Sequence, residues 1–443
     1  MEQRLPVDCR MARMLKVVFL VALGTRLLAA DPVMFRGGPA HLGVYESAAP
    51  TLSVLKWKFK TEGRIVSTPV VSGDLVYIGS ADHRLYAVRV ADGTLAWAFK
   101  SDQGVNSSPA VGNGLVYFSS LDGYLYALNA VTGAVDWKFQ TGGERRFSAP
   151  GIHGIVPASE VMPDPFDVFL SSPVLADGLV MFGSGDHHVY ALDAATGALH
   201  WTFPTGDVVH ATPAVVDGVL YVGSWDRNLY ALDARTGSLI WKFQTGDDQK
   251  LHNQIGIASS AVVVDGVVLF GCRDGHFYAL DARTGQLKWR EDNKGGWVIA
   301  SPAVRDGVVY FPTSDGTQFK ALAIATGAVV WRTVDKAVAF SSPAIAGNAV
   351  FFGSHDGWLR ALDVTSGRLR AEFQTDGSKE NASKYIATDG TINMKAIYPD
   401  NTLDGIILGL DRMYSLGSVL SSPVIVGGTV YFGSTDGYLY AVG

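Results

Sequence analysis

Side chains able to do chemistry gather in a few short stretches of this chain. Residues 143–170 hold Arg145, Arg146, His153, Asp164 and Asp167. His210 stands just ahead of an Ala-Thr-Pro, and Trp225-Asp226-Arg227 follow. His252-Asn253-Gln254 lie within 247–257, and Arg273, Asp274 and His276 come shortly after. Glu380, Asn381 and Lys384 lie within 376–417. Imidazole, guanidinium, amide and carboxylate groups both donate and accept, so together they suit recognition of a polar ligand. Three tryptophans, Trp225, Trp297 and Trp358, accompany them, and an exposed indole is a frequent partner anchor. The competing reading for each is local: a loop His or Arg that packs its own loop, or a Trp buried beneath an insertion.

More specific chemistry has little support. His187-His188 are adjacent, so on a strand they point to opposite faces, and no cysteine joins them as a metal ligand. Cys272 sits beside Arg273, a setting that can lower a thiol pKa, but no nucleophile motif surrounds it and it reads as a small buried residue. No glycine-rich phosphate loop joins a strand to a helix. Asn106-Ser-Ser and Asn381-Ala-Ser match glycosylation acceptors, which matters only in a eukaryotic secretory pathway.

The elements that must position these residues come from a repeat. One unit of about 40 residues recurs, reading S-x-P, then an apolar run, G-x-V-Y-F-G-S-x-D-G, L-Y-A-L-D-A-x-T-G and a terminal W-x-F-x-T-G. Its starts fall at or beside Ser67, Ser107, Ser171, Ala211, Ser259, Ala300, Ser341 and Ser421. Each unit predicts four short strands, A to D, joined by Asp-Gly and Thr-Gly turns. Eight such units predict an all-β, eight-bladed β-propeller over residues 51–443. The last unit stops at "STDGYLYAVG", while "LKWKFKTEG" at Leu55–Gly63 is an ending without a beginning. The N-terminal strand is therefore expected to complete the C-terminal blade and close the ring.

Three insertions break the repeat, at 143–170, 247–257 and 376–417, all between strand D and the next strand A. D-to-A and B-to-C connections emerge on one face of a propeller, so the insertions and the three off-repeat tryptophans are expected to rim one end of the channel. The opposite face is expected to carry only tight turns. The repeated Trp, Asp and Thr-Gly residues read as structural. In the seventh unit Ala371 stands at the Trp position.

Arg4, Arg10, Arg13 and Lys16 precede the apolar run Val17 to Gly24, with Ala29 and Ala30 beyond it. Residues 1–30 thus read as a secretory signal cut near Ala30–Asp31, with an uncleaved anchor as the competing reading. Residues 31–50 are then an N-terminal extension. Without the signal, 31 basic and 40 acidic side chains remain, a net charge of −9. An acidic chain without a basic run is a poor nucleic-acid binder. Cys9 lies in the presumed signal, which leaves Cys272 without an internal disulfide partner.

"YALDAATGALHW" and its copies resemble the tryptophan-docking repeats of the pyrroloquinoline-quinone (PQQ) dehydrogenases. The eight-unit length and secretion also resemble the BamB family of outer-membrane assembly propellers. The resemblance implies fold more than function. Two readings follow. In the first, a periplasmic or secreted monomeric scaffold, with no membrane anchor after signal cleavage, engages a protein or small polar ligand through the insertion face and needs no cofactor. That reading expects Trp225 and Trp358 exposed over a shallow funnel. In the second, the protein is a quinoprotein-like oxidoreductase or a degenerate PQQ binder. It then needs PQQ with calcium in a deep pocket of converging carboxylates. The adjacent cysteines usual in those enzymes are missing here.

Overall fold

The computed structural model describes Met1 and residues 32–246, 255–314 and 316–443. The presumed signal beyond Met1, with Cys9, and His252, Asn253 and Gln254 lie outside these residues. The repeat folds as read. Eight four-stranded sheets succeed one another, blade 4 being Ala214–Val216, Val219–Gly223, Asn228–Asp233 and Leu239–Gln244. Strands B and C are buried almost throughout, because both sheet faces stack on neighbouring blades. Strand D alternates, since it faces solvent at the rim. Six of the eight A-to-B turns hold positive φ at both central residues, as at Asp217 (50°) and Gly218 (76°), which explains the Asp-Gly pairs. In blade 8, Leu55–Lys60 pairs antiparallel with Tyr438–Val442, so the two ends of the sequence close the ring.

The repeat tryptophans bolt blade to blade. Trp57, Trp97, Trp137, Trp201, Trp241, Trp289 and Trp331 each donate Nε1–H to a carbonyl of the following blade, at 2.7–3.3 Å. Each ring also lies against the glycine of that blade's Thr-Gly, Asp-Gly or Ser-Gly turn; a Cβ on Gly237 would come within 2.7 Å of Trp201. Ala371 now has a reason. Strands C and D of blade 8 come from opposite ends of the sequence, so no turn joins them to receive a seventh-blade indole.

Around the axis, Thr68, Ser108, Ser172, Thr212, Ser260, Ser301, Ser342 and Ser422 form a closed circle. Each backbone N–H donates to the next blade's hydroxyl at 2.9–3.1 Å. The remaining axial cavity is about 50 Å³.

The face opposite the insertions is not bare, which corrects the sequence reading. Residues 32–50 run across it. Val111, Val215, Val304 and Ile345 of the inner strands donate to the carbonyls of Val33, Pro39, Leu42 and Gly43 at 2.7–2.9 Å. Val44–Tyr45 then adds a parallel strand to blade 7. Arg36 is buried at the end of the channel, with Nη1 on Pro343 O at 2.7 Å and Nη2 on Pro302 O at 2.5 Å. Burial pushes this guanidinium down to about 10.

Candidate functional site on the insertion face

The B-to-C turn aspartates reach across to the D-to-A connections: Asp226 Oδ2 accepts Gly206 N–H at 2.7 Å, and Asp436 Oδ2 accepts Gly377 N–H at 3.2 Å. Both sets of connections therefore share one face, as the sequence implied.

The first and third insertions meet over the axis and close the funnel. The third folds into α1 (Asp376–Tyr385), α2 (Met394–Ile397) and α3 (Leu403–Ser415). Thr375, Asn393 and Thr402 cap them by accepting backbone N–H groups. The buried face of α3 carries Ile406, Leu410, Met413 and Tyr414. These pack with Phe147, Ile152 and Met162 of the first insertion and with Val66, Ile299, Phe340 and Leu420 at the channel mouth. Gly409 lets α3 approach closely, since a Cβ there would lie 2.0 Å from the Tyr398 ring.

Five predicted residues converge beneath this cap in one buried cluster. The Arg273 guanidinium is sandwiched between Trp225 and Trp297, 4.5 and 4.0 Å from their ring centres. Its Nη1 donates to Asp164 Oδ2 at 2.6 Å, and His153 Nε2 lies 2.8 Å from Asp164 Oδ1. Burial would raise the Asp164 carboxyl, but Arg273 and His153 outweigh it and hold it below the usual range. Trp225 stacks on Phe147 at 4.6 Å and is only 2% exposed. The expectation of an exposed Trp225 anchor is therefore wrong: the stretch that surrounds it folds inward to cover its large apolar area. Trp358 is half-buried beside Arg360 at the blade 7 rim.

A second cluster forms at the channel edge. His210 Nδ1 lies 2.7 Å from Asp167 Oδ1, and Nε2 faces Glu144 Oε2 at 3.5 Å. Burial alone would lower this imidazole, but Asp167 and Glu144 together push it up to about 10. Arg145 and Arg146 are exposed beside it.

The other predicted residues do not join either cluster. Asp226 and Asp274 belong to the repeat, not outside it. Each accepts the hydroxyl of the Tyr four residues on, Tyr230 at 2.6 Å and Tyr278 at 2.5 Å. The D-x-x-x-Y spacing, shared with Asp82, Asp122, Asp186 and Asp436, was the legible signal. His276 follows Asp274, whose hydrogen bond raises its pKa. Arg227 occupies a turn position with φ 72°. On α1, Glu380 is exposed and Asn381 braces the insertion through Gly377 O and Ser415 O. Lys384 donates to Asn381 Oδ1 at 2.8 Å. Cys272 is buried, which pushes its thiol up.

The donor set does not fit PQQ with calcium. Asp164, Asp167 and Glu144 already face Arg273, His153 and His210. Glu380 and Asn381 do not converge on a cation, and a guanidinium fills the gap between the two indoles that a flat ring would need.

Sequence reasoning missed Asn106 and Glu144. The residue just before the S-x-P-like start of each unit lines the channel mouth: Val66, Asn106, Leu170, His210, Ala258, Ile299, Phe340 and Leu420. Asn106 and His210 are the polar members of that ring, a contrast visible once the repeats are aligned.

The family model described as outer membrane protein assembly factor BamB matches residues 51–162, 162–295 and 256–393. The chain belongs to this family of PQQ-like propellers. Its structure is similar to BamB from Moraxella catarrhalis, with a TM-score of 0.64 at 15% identity, covering 88% of this chain and 98% of that one. It is equally similar to a europium-containing methanol dehydrogenase, with a TM-score of 0.67 at 17% identity over 92% and 97% of the two chains. The computationally designed Ika8 protein reaches 0.62 at 16% identity over 89% and 99%. None of the curated proteins compared with the chain matches it. An assembly factor, an enzyme and a designed protein thus share this backbone, and the fold alone selects no function.

Proposed function

We propose that the protein is a non-catalytic binding module of the periplasm or extracellular space that holds a protein partner on its capped face. The observation that carries this reading is the filled funnel. The two insertions use their apolar side chains to close the channel end, so the axis itself offers no deep substrate funnel and the cap presents a broad outer surface. The outer side of α3 leaves Ile407 and Leu408 exposed, and Val156, also exposed, is tied to the segment just ahead of α3, its N–H donating to Asn401 O at 3.0 Å. Exposed apolar side chains on an otherwise polar rim suit a partner surface. The family description points the same way, since it concerns an assembly factor.

A photo-crosslinker at position 408 in the native host tests this reading, with position 131 on the opposite face as control. A discrete protein adduct from 408 alone is expected. Saturable, calcium-dependent quenching of tryptophan fluorescence by PQQ, with dye-coupled alcohol or sugar oxidation, would overturn the proposal in favour of a quinoprotein.

A further inference from the structure

Beside the axis, between blades 2 and 4, a solvent-facing cavity of about 270 Å³ opens on the capped face. That is the liquid volume of about nine waters, enough for a sugar-sized molecule. His210, Asn106, Glu144, Asp167, Arg145 and Arg146 supply its polar lining. Phe169 and Leu170 supply an apolar wall.

Its hydrogen bonding is incomplete in a specific way. The carboxylates are satisfied. Glu144 accepts Ser184 Oγ–H at 3.1 Å and Gly185 N–H at 2.8 Å, while Asp167 accepts Phe147 N–H at 2.9 Å and faces His210 at 2.7 Å. The donors are not. His210 is buried, with its side chain 4% exposed, and its Nε2 makes no hydrogen bond: the nearest acceptor, Glu144 Oε2, stands off at 3.5 Å. Arg145 and Arg146 reach the cavity without an ion-pair partner among the described residues. On the acceptor side, Asn106 Nδ2 donates to Val168 O at 2.8 Å, and Asn106 Oδ1 is buried without a donor. A buried polar atom left without a hydrogen bond is costly, so a cavity that keeps Asn106 Oδ1 unpaired and His210 Nε2 only loosely faced by Glu144 is arranged for something that pairs them. With His210 protonated, the lining carries three cations against two committed carboxylates.

We infer that this cavity binds a small hydroxylated carboxylate. Its carboxylate accepts from His210 Nε2–H and the two guanidinium groups, and a hydroxyl donates to Asn106 Oδ1. The ring or chain of the ligand lies on Phe169 and Leu170. This ligand is separate from the protein partner proposed above, and α3 is not part of its site.

Calorimetric titration of the full protein tests the inference, with D-glucuronate as probe, D-glucose as the uncharged control and acetate as the bare carboxylate. Glucuronate is expected to bind, glucose not, and acetate more weakly. Arg145→Gln with Arg146→Gln, both on the surface, should weaken glucuronate at least about tenfold. Arg332→Gln on the distant rim should leave it unchanged. Asn106→Asp should also abolish binding, by placing a second negative charge against the ligand. Unchanged melting of the arginine variant shows that the fold is intact. No heat from either acid, acetate binding as tight as glucuronate, or an arginine variant that binds normally would overturn the inference.

Discussion

At the scale of single residues, the capped face is organised by charges that have left water in pairs. Arg273 is 1% exposed, with Asp164 as its ion-pair partner and two indole faces around it. Removing one partner of such a pair strands the other. Asp164→Asn should cost about 3–5 kcal/mol in denaturant unfolding. Joint replacement of Asp164 and Arg273 by apolar residues should recover much of that, and a strictly additive double variant would refute the pairing. Because the Asp164 carboxyl is depressed, its stabilisation is full above the unfolded value and fades as pH falls below it. His210 has the opposite sign. Its pKa rises from 6.5 to about 10, so its contribution is complete below 6.5 and is lost as pH climbs toward 10. His210→Gln should flatten the fall in stability over that alkaline window, read from melts at successive pH values.

At the scale of elements, the seams between blades follow from one indole placed at one repeat position. Trp201→Ala removes a ring packed on Gly237 and a hydrogen bond of 3.0 Å to Ala234 O. A loss of about 3–5 kcal/mol is expected by chemical denaturation. Ala371→Trp restores the repeat in sequence only. It should add no stability, because blade 8 has no turn joining strands C and D to dock it. In the cap, Gly409→Ala drives a methyl group into Tyr398, so α3 must shift. Faster hydrogen exchange across 394–416 with an unchanged ring is the expected result.

At the scale of the whole molecule, the ring is closed three times: by Leu55–Lys60 at the rim, by residues 32–50 at one channel end, and by the insertions at the other. These closures are separable. Deleting 55–60 leaves the edge of Tyr438–Val442 unpaired, and the product should aggregate. Deleting 32–50 leaves the rim intact. It frees the inner-strand N–H groups of Val215, Val304 and Ile345, so exchange at these amides should rise while the far-ultraviolet spectrum stays the same.

Repeat period, turn chemistry and the split final blade are local facts, so the sequence by itself determined the eight blades, their closure and the face that bears the insertions. The 2- and 40-residue periods need no knowledge of what touches what. The sequence also listed most of the polar residues on that face. Only the tertiary structure decided how they pair. Arg273 lies 109 residues from Asp164 along the chain, and His210 lies 43 from Asp167. Whether a loop tryptophan points outward or inward depends on what covers it, and Trp225, in a B-to-C turn, is covered by Phe147 of the first insertion. The plug at residues 32–50 was illegible for the same reason. Its hydrogen bonds go to six different blades, and no local pattern encodes a segment whose shape is set by the ring beneath it.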